Sequence, residues 1–89
     1  MPTISRFFGV SIRMYHEEHP PPHFHADYGD YGARIAIETL EITDGRLPRR
    51  ILGLVLEWAL MHRPELRENW LRGERGEPLT SIAPLDEEV

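Results

Sequence analysis

Three consecutive prolines, Pro20-Pro21-Pro22, stand between two stretches of alternating apolar residues and limit what this chain can become more than any other feature. Each proline removes a backbone donor and pushes the residue before it towards extended geometry, so neither a helix nor an interior strand can run through them. The flanking stretches must be separate elements joined by a stiff connection, and their period of two marks them as strands. Upstream, Phe8, Val10, Ile12 and Met14 alternate with Phe7, Ser11, Arg13 and Tyr15, giving a first strand. Downstream, His23 to Tyr28 place Phe24, Ala26 and Tyr28 on the core side until Gly29-Asp30-Tyr31-Gly32 turns the chain. A third strand follows, with Ile35 and Ile37 inward and Arg34, Ala36 and Glu38 outward. The apolar parity then shifts at Leu40 and Ile42, which calls for a bulge or tight turn near Thr39 before Asp44-Gly45 closes the sheet region.

The second half has the other period. Pro48 suits the start of a helix, and Ile51, Leu54, Val55, Trp58 and Met61 carry helical spacing to about His62. Pro64 breaks this helix and opens a shorter one, with Leu66 and Trp70 on one face and Gly73 and Gly76 at its end. Ile82 and Leu85 then dock on the domain, and the acidic stretch Asp86-Glu87-Glu88-Val89 frays. The expected fold is α+β: a small antiparallel sheet of three to four strands followed by two helices packed on one face, one domain over residues 1–85 with an acidic tail at 86–89.

Composition narrows the chemistry. A chain of 89 residues buries roughly 60–65% of its unfolded surface. It has no cysteine, so disulfides, thiolate metal sites and a sulfur nucleophile are all excluded, and any metal must be held by His, Asp or Glu. The apolar run Ile51–Met61 is short and carries Glu57, and the N-terminus lacks a signal-peptide pattern. A cytoplasmic protein that does not engage membranes is the expectation. Net charge is −5, and every basic residue is arginine. Non-specific DNA binding is not expected of such a chain, because affinity for phosphate backbones comes from counterions released by basic groups. A local arginine-lined site for RNA stays open, as does assembly into a homo-oligomer.

The sequence runs Ile4-Ser5-Arg6-Phe7-Phe8-Gly9, Ile12-Arg13-Met14-Tyr15, Pro21-Pro22-His23-Phe24-His25-Ala26, Gly45-Arg46-Leu47-Pro48-Arg49-Arg50, Glu57-Trp58-Ala59 and Glu68-Asn69-Trp70. In that order these segments resemble the bacterial domain of unknown function 4160 family over residues 2 to about 85. The resemblance carries no established activity. It implies a partner, a small protein encoded by an adjacent gene, in a pairing like that of toxin–antitoxin modules, in which this chain is one component and a candidate for the toxin. Pro20 and His19 depart from the family's usual pattern.

Four of the five histidines fall between His16 and His25. Alternation puts His23, His25 and Asp27 on the side of their strand that Ser11, Arg13 and Tyr15 share on the first and Arg34 and Glu38 on the third. Two imidazoles at i and i+2 on a strand form a pair able to ligate a metal, with His19 or His16 and Asp27 as further donors for zinc, nickel or manganese. Three protein ligands would leave a position for water, as in catalytic sites. Without a metal, His23 and His25 are a general acid–base couple for an RNA 2′-hydroxyl, with Tyr15 beside them and Arg13 or Arg34 on the phosphate. Against both readings, histidines beside prolines can simply bond a loop backbone that the prolines leave poorly paired. Trp58 reads as core. Trp70, Arg49 and Arg50 are candidates for a partner surface, since two arginines in a first helical turn oppose the helix dipole without evident compensation. A salt bridge to Asp44 or Glu57 is the alternative for the arginines.

Overall fold

The computed structural model describes residues 3–86. Five strands form one antiparallel sheet in chain order: β1 (Thr3–Phe7), β2 (Val10–Arg13), β3 (His23–Tyr28), β4 (Tyr31–Ala36) and β5 (Ile42–Arg46). Two helices follow, α1 (Arg49–Met61) and α2 (Arg63–Glu74). The α+β class and the strand-then-helix order are as expected, with more strands than three to four. The difference arises at Phe8-Gly9, where both residues have positive φ, 49° and 80°. That is the backbone of a two-residue hairpin turn, whose twist matches the strands it joins. The single strand expected over Phe7–Tyr15 is therefore a hairpin, with Phe7 opposite Val10. Phe7 is buried where alternation sent it outward, and Phe8 is 37% exposed where alternation sent it inward.

The fifth strand comes from the parity shift at Leu40. A tight turn over residues 37–39 is closed by Leu40 N–H donating to the Ala36 carbonyl and Ala36 N–H donating to Glu41, at 2.8 and 2.9 Å. Leu40 takes φ 62° there, and the chain returns along β4. All of β5 is exposed, Ile42 included.

The core lies on one face of the sheet. Phe7, Val10, Ile12, Phe24, Ala26 and Ile35 meet Ile51, Val55, Trp58 and Ala59 of α1 and Leu66 of α2. Trp58 is fully buried between Phe7 and Phe24, with ring centroids at 5.4 and 5.9 Å. Burying side chains of this size contributes about 1.5–3 kcal/mol each, which makes this layer the main source of stability. Pro64 falls in the first turn of α2, as expected of a residue with no N–H to satisfy. The segment after α2 closes the domain through buried Ile82 and Leu85. Ile82 N–H donates to the Ile4 carbonyl, Trp58 Nε1–H to the Ala83 carbonyl, and the Asn69 amide pairs with the backbone of Thr80. Asp86 is exposed, while Glu87, Glu88 and Val89 of the acidic tail lie outside the described residues. Among the described residues no helix is long and apolar enough to cross a membrane.

Candidate metal centre

Opposite the core, the strand registers assemble a polar row. Arg13 stands across from His25, His25 from Arg34, and Arg34 from Asp44. The next row carries Ser11, Asp27, Gly32 and Arg46. Most of this face is open, but not at His23. There Trp70 of α2 covers the imidazole, with centroids 5.2 Å apart, and leaves it 3% exposed. Ala36, the neighbour of His23 on β4, is buried with it.

The loop between β2 and β3 supplies the third member of the site. His16 and Glu17 form a turn in which Glu17 takes φ 59°, and Glu18 follows directly behind it. The Glu18 side chain reaches back over β3, where its Oε1 lies 3.0 Å from His23 Nε2 and 2.8 Å from His25 Nε2. On the far side of the His23 ring, Nδ1 is 2.8 Å from the Pro21 carbonyl oxygen. A carbonyl only accepts, so Nδ1 carries the proton. If His23 is neutral, its Nε2 then presents a lone pair to a carboxylate oxygen, and two acceptors face each other. The contact is resolved by a proton, on His23 as an imidazolium that donates from both nitrogens or on Glu18, or by a cation between these atoms. The Glu18, His23 and His25 ligand atoms all lie within 4.8 Å of one another. A tetrahedral ion with donors at about 2.0–2.1 Å separates them by about 3.4 Å, so Glu18 Oε1 needs to move only about half an ångström away from each imidazole nitrogen.

Burial alone would raise the Glu18 pKa. The hydrogen bond from His25, the charges of His25 and His23 and the hydrogen bond from His23 together outweigh burial and hold it below the ordinary value of 4.5. Glu18 is thus an anion at neutral pH; the charge that holds it so belongs to protonated imidazoles, and a metal ion would replace those protons and act on Glu18 in the same direction. The Glu18 and His25 side chains are about a quarter exposed, so the cluster opens to solvent on one side.

The other sequence-derived candidates fall around this centre or away from it. Asp27 accepts from Arg13 Nε at 2.9 Å and lies outside the cluster, and Arg13 Nη1 also donates to Thr3 Oγ1 at 3.1 Å. Tyr15 presents its ring edge-on to His25 at 5.1 Å. His19 is exposed and takes no part in the cluster, and His16 Nε2 meets the Glu77 carbonyl instead. Glu38 is held by Arg67 of α2 through two bonds of 2.7 Å. Trp70 is 7% exposed and belongs to the core, which removes it from any open partner surface. Arg49 and Arg50 are exposed and have no ion-pair partner among the described residues, Asp44 being paired with Arg34. Glu18 is the member that sequence reasoning missed. It lies in a loop, where no periodicity assigns a direction, and its one signal was its place among the clustered histidines.

A family model described as Domain of unknown function (DUF4160) matches residues 9–71, a span that includes Glu18, His23, His25, all of α1 and most of α2. The chain belongs to this family. No curated protein and no solved structure matches it. Within this DUF4160 domain, the chemistry must therefore be argued from the side chains themselves.

Proposed function

We propose that Glu18, His23 and His25 hold a divalent transition-metal ion, of which zinc, nickel and manganese suit two imidazoles and a carboxylate, and that the chain is a compact metal-dependent hydrolase. One observation carries this reading. A single carboxylate oxygen faces two imidazole nitrogens, and the proton of the buried imidazole is committed to the Pro21 carbonyl on its other side. A backbone carbonyl that fixes the tautomer of a ligating histidine is the usual outer support of a metal site. Three protein ligands on an open face leave a position for water, whose pKa a bound zinc lowers to about 7, and this supplies a nucleophile at neutral pH. Tag-free protein dialysed against zinc, nickel or manganese should take up one equivalent, and cobalt substitution should give the visible absorption of a tetrahedral ion. His25→Ala and Glu18→Gln should each abolish uptake while the fold persists. No uptake by the folded wild-type protein at millimolar metal would overturn the reading.

A second reading rests on Arg49 and Arg50. They lie in the first turn of α1, which contains no acidic residue, so two unneutralised charges sit at the positive end of the helix dipole. Such a feature supports an interaction module that binds an acidic surface on a small protein encoded beside it, as in a toxin–antitoxin-like pair. The Arg49→Glu/Arg50→Glu variant should lose capture of that protein. Unchanged capture by a folded variant removes this surface from the interface.

A further inference from the structure

The geometry points to a phosphate diester as the substrate class of the metal centre, seated between Arg13 and Arg34 on either side of His25. This inference rests on the metal reading above. Three adjacent strands place the residues directly opposite one another, Arg13 to His25 and His25 to Arg34, on the same face of the sheet. Side chains so paired start about 4.5–5.5 Å apart at Cβ, so an oxyanion on an ion held by His25 lies within reach of both guanidinium groups.

Both arginines are held by some of their N–H groups and keep others unpaired. Arg13 uses Nε on Asp27 and Nη1 on Thr3, and Arg34 uses Nη2 on Asp44 at 3.4 Å. Arg13 Nη2 and the Nε and Nη1 groups of Arg34 have no hydrogen-bond partner among the described residues. Beside His25 the face dips into a shallow recess bordered by Asp27, Arg34 and Asp44, with Gly32 and Gly45 at the β4–β5 pairing. A Cβ on Gly32 would press on Asp27 Oδ1 at 3.1 Å, and a Cβ on Gly45 would run into the Gly32 carbonyl. The recess therefore depends on bare backbone.

Charge selects the ligand. An ion on anionic Glu18 and two neutral imidazoles leaves one net positive charge, and two guanidinium groups stand beside it, each balanced by its own carboxylate and each with N–H donors to spare. A peptide carbonyl is neutral and has no use for two guanidinium forks, which match the spaced oxygens of phosphate. Asp27 and Asp44 at the edge repel additional anionic groups, which favours the single charge of a diester over a polyphosphate. In the reaction, an ion held by Glu18, His23 and His25 would activate a water whose oxygen bonds to phosphorus as the bond from phosphorus to the leaving oxygen breaks. One water proton passes to solvent and the leaving oxygen takes one from solvent. Diester and water become monoester and alcohol with no change in oxidation state.

The test uses tag-free wild-type and Arg34→Ala protein loaded with manganese. The wild type should hydrolyse bis(4-nitrophenyl) phosphate, should broaden the ³¹P resonance of inorganic phosphate, and should cleave a short single-stranded RNA if the diester comes from nucleic acid. Activity on the small diester alone makes the source a small molecule. Loss of one charged pair of donors in Arg34→Ala should raise KM for the diester about tenfold or more without changing manganese affinity. If manganese binds but neither hydrolysis nor ³¹P broadening appears, or if Arg34→Ala leaves KM unchanged, the substrate class is wrong and the metal reading stands. If manganese, zinc and nickel all fail to bind, both fall together.

Discussion

The two tryptophans cover adjacent residues of one strand, to different ends. Trp58 of α1 rests on Phe24 and Phe7 in the apolar layer, with His62 at its other edge 5.6 Å away and its indole N–H satisfied by Ala83. Trp70 of α2 rests on His23, whose two nitrogens are both engaged. The first contact contributes mainly to folding. The second holds an imidazole in one orientation at the rim of an open face. Alternation along β3 sends Phe24 to one side and His23 to the other, and α1 and α2, both part of the core, each supply an indole to one of them.

That contrast can be broken first at Trp58. Trp58→Ala should cost about 3–5 kcal/mol in chemical denaturation, since it opens a cavity and leaves the Ala83 carbonyl unpaired. A loss under about 1 kcal/mol would mean that the apolar layer is not the core. The polar side should answer unequally to the same change at its two histidines. His23→Ala should cost about 1–3 kcal/mol, because the Pro21 carbonyl and the underside of Trp70 lose their partner. His25→Ala, at a half-buried part of the row whose one hydrogen-bond partner among the described residues, Glu18, can turn to solvent, should stay within about 1 kcal/mol although it removes the same metal affinity. Equal costs at the two positions would erase the distinction between a pinned and an open imidazole.

Acid should sharpen the comparison further. The Glu18 pKa is lower in the folded state than its ordinary value of 4.5, so its stabilising contribution is complete above that value and disappears as pH falls through the lower folded one. Glu18→Gln should flatten the stability profile below about pH 4.5, whereas Trp58 variants should shift the profile without changing its slope. The smallest effect concerns the turn that presents Glu18. Glu17 holds φ 59°, a conformation disfavoured for residues with a Cβ, so Glu17→Gly should raise stability by about 0.5–1 kcal/mol in urea. A loss of stability would mean that the Glu17 side chain, not only its backbone, supports the loop.

Much of this arrangement was legible in the sequence. The helices follow from Pro48, Pro64 and apolar spacing, and the inward residues of β2, β3 and β4 follow from alternation. Phe8 misled because a two-residue hairpin inserts two positions without interrupting an apolar run, which moved Phe7 to the wrong side and hid β1. For Trp70, the i, i+4 relation to Leu66 gave the buried face but not what that face covers. The pairing of His23 with His25 was visible at i and i+2, whereas Glu18 comes from a loop, where direction depends on one left-handed residue that no pattern announces. Fold is written in periods; the third donor depends on a single dihedral angle.

The closing segment has a consequence for how the protein comes into being. Each hairpin of the sheet pairs neighbours in sequence, which lets β1 to β5 form early and from local encounters. Ile4 meets Ile82, and Trp58 meets Ala83, only after the whole sheet and both helices have been made. During synthesis on a ribosome the Ile4 carbonyl, the Trp58 indole N–H and the apolar surface that Ile82 and Leu85 cover therefore wait until residues 79–85 emerge. The nascent chain is most exposed to aggregation in the interval between completion of α2 and arrival of this last segment.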